Sequence, residues 1–312
     1  MNQKLSLKER LCYGAGDLGS QFAFNMITTY LLIFMTDVAG LPTTVAGTVM
    51  LVAMIFDAVN DVAIGMIADR SKLRKTGHYR PFMFAAAIPY GIFIVLCFLS
   101  PTDNYMVKMI WAYAVYLIFT VVSTLFQVPF GSASNVMTSD PQERVTLGAF
   151  RDWGANLAAF LLNLFAVQVI TGFSADGVSM DARGYLALAI LVGIVTTIFC
   201  FVAAAGIKER YQPEQTSVNL GVTMKSVLKN GPALCLLGMV FCINLFVAFK
   251  GSFTPYYALY YLGNPDMIAG ILTTMYTLPL LGLLFVPKLN AVLGSRKLFF
   301  VAAGCAVLSG IV

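Results

Sequence analysis

The chain has 312 residues, of which 59% are hydrophobic and only 11% charged, with a mean hydropathy of +0.80; soluble domains carry about 25% charged residues, so composition places it among polytopic membrane proteins. Its net charge of +5 does not indicate nucleic-acid binding, because the basic residues follow a membrane pattern. The six cysteines are scattered in apolar surroundings without a CxxC or framework spacing, which excludes a disulfide scaffold and reads as buried free thiols.

A helix needs about 20 apolar residues to cross a bilayer. In chain order, spans are expected near 12–36, 43–68, 81–100, 106–133, 147–172, 184–206, 232–262 and 267–290, with a ninth starting near 297. The polar, basic start MNQKLSLKER leads into a full-length span, not into the short apolar run of a cleavable signal peptide. Between spans lie turn residues: TDVAGLPTT, SPTDN, SADGVSMDARG and GNPD.

Basic residues assign the topology. Lys4, Lys8 and Arg10 precede span 1; Arg70, Lys72, Arg74, Lys75 and Arg80 follow span 2; Arg144 follows span 4; Lys208, Arg210, Lys225 and Lys229 follow span 6; Lys288, Arg296 and Lys297 flank the last turn. The opposite side holds only Lys108 and Arg183. The N-terminus is therefore expected in the cytoplasm and the protein in the plasma membrane. The polar stretch 207–230 reads as a linker between an N-terminal six-helix bundle, 1–206, and an incomplete second bundle, 231–312. VPKLNAVLGSRK after span 8 weakly echoes GMIADRSKLRK after span 2, as two repeated halves would.

Inside span 2, LVAMIFDAVNDVAIGMIADR places Asp57 and Asp61 four residues apart, on one helix face, with Asn60 beside them. An ionisable group at the bilayer centre costs at least about 2.5–3.5 kcal/mol and normally faces a cavity or a partner. Carboxylate and amide oxygens suit a hard cation, and two neighbouring carboxylates repel unless one is protonated or a cation lies between them. The pair can therefore bind Na⁺ or carry H⁺. The bland alternative pairs each carboxylate with a base on another helix, for which only Lys250 and Arg151 are at hand. An intramembrane prenyltransferase, holding Mg²⁺-diphosphate on an Asp57/Asp61/Asp69 stripe, would need a second acidic cluster, and the sequence has none. The chain is not expected to be an enzyme and needs no cofactor besides the coupling ion.

Further polar residues at compatible depth are Gln21 and Asn25, Thr124 and Gln127, Arg151, Asp152 and Asn156, and Lys250. Singly they read as interhelical hydrogen-bond partners; together they read as a cavity lining. Arg151 and Asp152 could instead form a pair at the membrane surface. Asp17 is expected to cap or kink the start of span 1, His78 to be solvated, and Trp111 and Trp153 to anchor at the interfaces.

YGAGDLGSQF, FMTDVAGL, DAVNDVAIGMIADRS with the basic loop after it, VPFGSASNVMTSDPQERVTLGAFR and KNGPALCLLGM together resemble the glycoside–pentoside–hexuronide:cation symporters, the melibiose-permease group of the major facilitator superfamily. The resemblance covers the whole chain. It implies an all-α transmembrane fold of twelve helices in two six-helix bundles, of which about nine spans are present here. It also implies a cation site at Asp57, Asn60, Asp61 and Thr124, a sugar site at Gln21, Gln127 and Arg151 with Asn25 and Lys250 nearby, and gating by Arg144, Asp69 and Arg70. Gln21 and Gln127 stand where the group carries acids. An amide binds hydroxyls without repelling an anion, so an acidic glycoside is favoured as the substrate, carried with Na⁺ or H⁺. The rival expectation is a shortened, non-transporting form that binds sugar without moving it.

Overall fold

The computed structural model describes residues 5–71, 77–175, 177, 180–211, 226, 228–256, 261, 277, 281–294, 296–302 and 304; at Arg70 and over 246–256 it describes the backbone alone. Helix α1, Leu7–Ile33, runs into a π-helical turn, Phe34–Val38. Then follow α2 (Thr43–Arg70), α3 (Arg80–Cys97), α4 (Tyr105–Met137), α5 (Pro141–Gly172), α6 (Ala182–Gly206), α7 (Gly231–Tyr256) and the short α8 (Val286–Leu293). Local chemistry starts several of them. Ser6 and Glu9 form a reciprocal capping box at α1, while Asn104, Asp140 and Asp181 accept backbone N–H groups at α4, α5 and α6.

Six helices among the described residues are long and apolar enough to cross a membrane: Leu7–Val38, Thr43–Asp69, Arg80–Cys97, Tyr105–Met137, Pro141–Gly172 and Ala182–Gly206. They coincide with the six spans expected before residue 207, and the chain is a multi-pass membrane protein. The start of α7 matches the seventh expected span. Residues 267–276 and 278–280, about half of the eighth, lie outside the described residues; of the ninth, 297–302 are helical. The turn expected at VPKLNAVLGSRK is largely helix α8. Pro287 sits in its first turn and Gly294, at φ 75, ends it.

The chain divides into two compact units, Met1–Pro213 with Pro279–Val312, and Glu214–Leu278. In the first, α1 packs on α5 and α6, α3 on α4 and α6, and α2 on α4. Water is not the competing solvent on the lipid face, so these contacts rest on close packing and hydrogen bonds, and small residues allow them. At the α3–α6 crossing, Gly91 and Gly193 lie against each other's carbonyls; a Cβ on Gly193 would approach Gly91 O to 2.7 Å. Thr197 Oγ1 donates to Gly193 O at 2.8 Å, with Ala87 O the more distant alternative at 3.3 Å. Gly193→Val should cost about 1–3 kcal/mol by overpacking and lower the Tm of the detergent-purified chain, whereas Ile194→Ala, on the exposed side of the same turn, should leave Tm nearly unchanged. In the second unit, the Asn230 side chain accepts from Ala233 N at the start of α7, and Asn244 Nδ2 donates to Val240 O within it.

The loop between α2 and α3 departs from expectation. His78 is 1% exposed, not solvated, and its ring lies edge-on to Tyr79 at 4.7 Å. The cause is Glu209, just beyond α6. Its carboxylate accepts from the backbone N–H groups of His78, Tyr79 (2.9 Å) and Arg80 (3.0 Å), and so caps α3 from 129 residues away. In return Arg80 donates to the terminal carbonyls of α6, Nε to Ala204 O at 2.8 Å and Nη2 to Ala205 O at 3.4 Å. Carboxylate at a helix N-terminus and cation at a C-terminus are both the favourable sense of the helix dipole.

Candidate cation and substrate site

Asp57 and Asp61 lie on the face of α2 turned to α4, where Thr124 meets them both. Its Oγ1 is 3.2 Å from Asp57 Oδ1 and 3.0 Å from Asp61 Oδ1. A hydroxyl has a single proton to donate, so it satisfies one carboxylate at a time. The other approach sets oxygen lone pairs against each other unless a proton or a cation intervenes. Asn60 turns deeper into the α2–α4 contact, 9% exposed, with Nδ2 3.5 Å from the Thr120 carbonyl. The structure thus brings Asp57, Asp61 and Thr124 together and places Asn60 one step behind them.

This triad opens on a cavity of about 250 Å³ between α1, α2, α4 and α5. Its polar wall includes Asp57, Asp61, Ser123, Thr124, Gln127 and Arg151, with Thr28 and Thr120; its apolar wall includes Phe24, Ile27, Tyr116 and Phe119. The volume is just below the range of about 300–1,000 Å³ typical of small-molecule sites. Carboxylates, amide, hydroxyls and one guanidinium, set against three aromatic side chains, can bind a hydroxylated molecule beside a cation.

Of the sequence-nominated substrate residues, Gln127 and Arg151 line this cavity, whereas Gln21 and Asn25 do not. Asn25 Nδ2 is spent on its own helix, donating to Gln21 O at 2.7 Å. The Lys250 side chain lies outside the described residues. Gln127 Nε2 meets Tyr90 OH at 3.4 Å, and Tyr90, fully buried, donates to Ser20 O of α1. Tyr90 had no signal in the sequence beyond being a lone hydroxyl in an apolar span.

Arg151 does not pair with Asp152 at a surface, and Asp17 neither caps nor kinks the start of a helix. Ser6 caps α1, and Asp17 lies well inside it, 5% exposed, with Oδ1 3.5 Å from Arg151 Nε. Residues adjacent in a helix point apart, which sends Asp152 to the exposed side while Arg151 turns to α1.

At the end of the bundle carrying the basic loops, Arg144 Nε donates to Thr138 O at 3.1 Å, and Asp69 accepts from Tyr79 OH at 3.3 Å. Burial, and next the Asp69 carboxylate, push the Tyr79 phenol up to about 12, which keeps it a donor to Asp69 at neutral pH. The Arg70 side chain is outside the described residues. The strong pairs here escaped the sequence reading: Arg10 Nη2 meets both Glu143 carboxylate oxygens at 2.9 Å, and Arg210 meets Glu9 at 2.7 Å. Gln142 holds α8 by donating to Pro287 O and accepting from Asn290 Nδ2.

A family model described as MFS/sugar transport protein matches residues 12–312. The chain is 30% identical to the symporter YjmB of Bacillus subtilis, over 99% of this chain and 67% of that protein. It is 28% identical to the isoprimeverose transporter of Lactiplantibacillus pentosus, over 97% of this chain and 63% of the relative. It is 29% identical to the glucuronide carrier protein homolog of Escherichia coli, over 97% and 66%. The chain therefore spans about two thirds of the length of these relatives. With the apolar helices and the family match over nearly its whole length, the chain belongs to the glycoside–pentoside–hexuronide:cation symporters of the major facilitator superfamily, a family of transporters and not of enzymes.

Proposed function

We propose that the chain serves cation-coupled symport of a glycoside, with Asp57, Asp61 and Thr124 as the coupling-ion site and Asn60 as its support. The observation that carries this reading is the single Thr124 hydroxyl set between two carboxylates at 3.2 and 3.0 Å, an arrangement completed by Na⁺ or H⁺. Substrate binds in the adjoining cavity at Gln127 and Arg151, with Gln21, Asn25 and Lys250 as further substrate residues. Arg144, Asp69 and Arg70 act in conformational gating. The N-terminus is cytoplasmic and the membrane is the plasma membrane. By linkage, cation and sugar must strengthen each other's binding.

The substrate is an acidic glycoside. Three observations support it: amides at Gln21 and Gln127 where the group carries acids, a guanidinium on the cavity wall, and a relative named for a glucuronide. A second reading, a neutral glycoside, is favoured by the relative named for isoprimeverose. Uptake of labelled glucuronide and of labelled neutral xyloside, each with and without Na⁺, separates them. The chain and a version extended to the length of its relatives should both be assayed. Glucuronide uptake stimulated by cation is the expected result; entry of xyloside alone would overturn the acidic assignment, and binding without uptake in the extended version would make the protein a sensor.

A further inference from the structure

The motif YGAGDLGS in α1 is densely used, and one of its residues has no assigned role. Gly14 lies against α5: a Cβ there would meet Phe150 O at 2.6 Å, and one on Gly154 would collide with Gly14 O. The two backbones therefore touch, and this crossing lies one turn from Asp17 on α1 and one turn from Arg151 on α5. Tyr13 stacks on Phe130 at 4.7 Å, and the Arg151 guanidinium lies over the same ring at 5.7 Å. Gly16 leaves room for that ring, since a Cβ there would meet Phe130 Cε2 at 2.5 Å. Arg151 is thus held on two sides, by the aromatic face and by the Asp17 carboxylate at its Nε edge. Asp17 is almost fully buried, whereas the Arg151 side chain is 42% exposed and lines the cavity beside Asp61 and Gln127.

We propose that Asp17 is the positioning residue for Arg151. From α1 it fixes the direction in which the guanidinium enters the cavity, and so sets the affinity for the glycoside. A guanidinium on a long flexible stem loses less freedom on binding when one edge is already tied. Asp17 does not itself touch substrate. The inference rests on the sugar-carrier reading above.

Equilibrium binding of p-nitrophenyl glucuronide and p-nitrophenyl xyloside to the purified full chain in detergent, at saturating Na⁺, tests it alongside Tm. Asp17→Asn should weaken glucuronide binding roughly tenfold, and Asp17→Glu should recover most of the loss. Because the two side chains act as one unit, Asp17→Asn with Arg151→Gln should bind no more weakly than Arg151→Gln alone. The Na⁺ concentration giving half-maximal binding should stay at the wild-type value in Asp17→Asn. Losses that multiply in the double variant, or a Kd unchanged in Asp17→Asn whatever happens to Tm, overturn the positioning role. If Asp17→Asn fails to fold, the length swap decides. Asp17→Glu with Arg151→Lys should bind more tightly than Arg151→Lys alone, and no gain overturns the proposal. Wild-type protein that binds neither glycoside sinks the sugar-carrier reading itself, a result distinct from wild-type binding that survives Asp17→Asn.

Discussion

Asp61→Asn is expected to abolish cation stimulation of glycoside uptake. The coupling lost is the mutual reinforcement of the two ligands, typically about 5–150-fold in affinity. The amide is near-isosteric and keeps one acceptor oxygen, so the fold should be unaffected. It removes one of the two charges facing Thr124 Oγ1, and the remaining carboxylate then takes its hydroxyl proton without needing a cation. Asp57→Asn should act in the same direction. Thr124→Val removes a bridging oxygen and should weaken cation activation, while Thr124→Ser should preserve it. Initial uptake rates against Na⁺ at fixed pH, and against pH without Na⁺, measure this for each variant. Cation stimulation that survives both aspartate changes would remove the coupling ion from this site.

Glu209→Ala is expected to destabilise the end of the bundle bearing the basic loops by about 2–3 kcal/mol. Three successive backbone N–H groups at the start of α3 lose their common acceptor, and the side chain of its own N-cap residue, Tyr79, makes no capping bond. Glu209→Gln, which retains one acceptor oxygen, should cost roughly half as much. A direct readout exists because His78 is the sole histidine of the chain. It is buried in the wild type, so diethyl pyrocarbonate should modify it slowly. In Glu209→Ala the reaction should speed up together with a fall in Tm. A His78 that stays protected would mean that the packing of Tyr79 with Ala68 and Val136 holds the loop without the carboxylate.

Chain-local features were legible in advance. The six spans before residue 207 follow from apolar length, their turns from Pro, Gly, Asn and Asp, and the family from contiguous motifs. Asp57 and Asp61 were legible because an isolated carboxylate is costly in a span and because the helical period puts four-residue neighbours on one face, whereas Thr124 entered the cation site only through the family resemblance. The substrate wall was less legible. Gln21 and Asn25 share a face of α1 with Thr28, yet of α1 only Phe24, Ile27 and Thr28 line the cavity, and a one-dimensional pattern carries neither the depth of the cavity nor the rotation of one helix against another. Arg151 illustrates the same limit. Its sequence neighbour Asp152 suggested a local pair, yet backbone contact at Gly14 and Gly154 brings it to Asp17 instead.

The sequence by itself determined the membrane class, the order and length of the first six helices, the family, and the two carboxylates that a bilayer would not tolerate without a ligand or partner. Only the tertiary structure decided that Thr124 stands between them, that Tyr90 holds Gln127, that Glu209 caps α3 while Arg80 caps α6, and that His78 is buried. The physical reason is common to these cases. Each joins groups on different helices, and whether they meet depends on how close two backbones can come and how each helix is turned, which here is set by glycines such as Gly14, Gly91, Gly154 and Gly193 at the crossings.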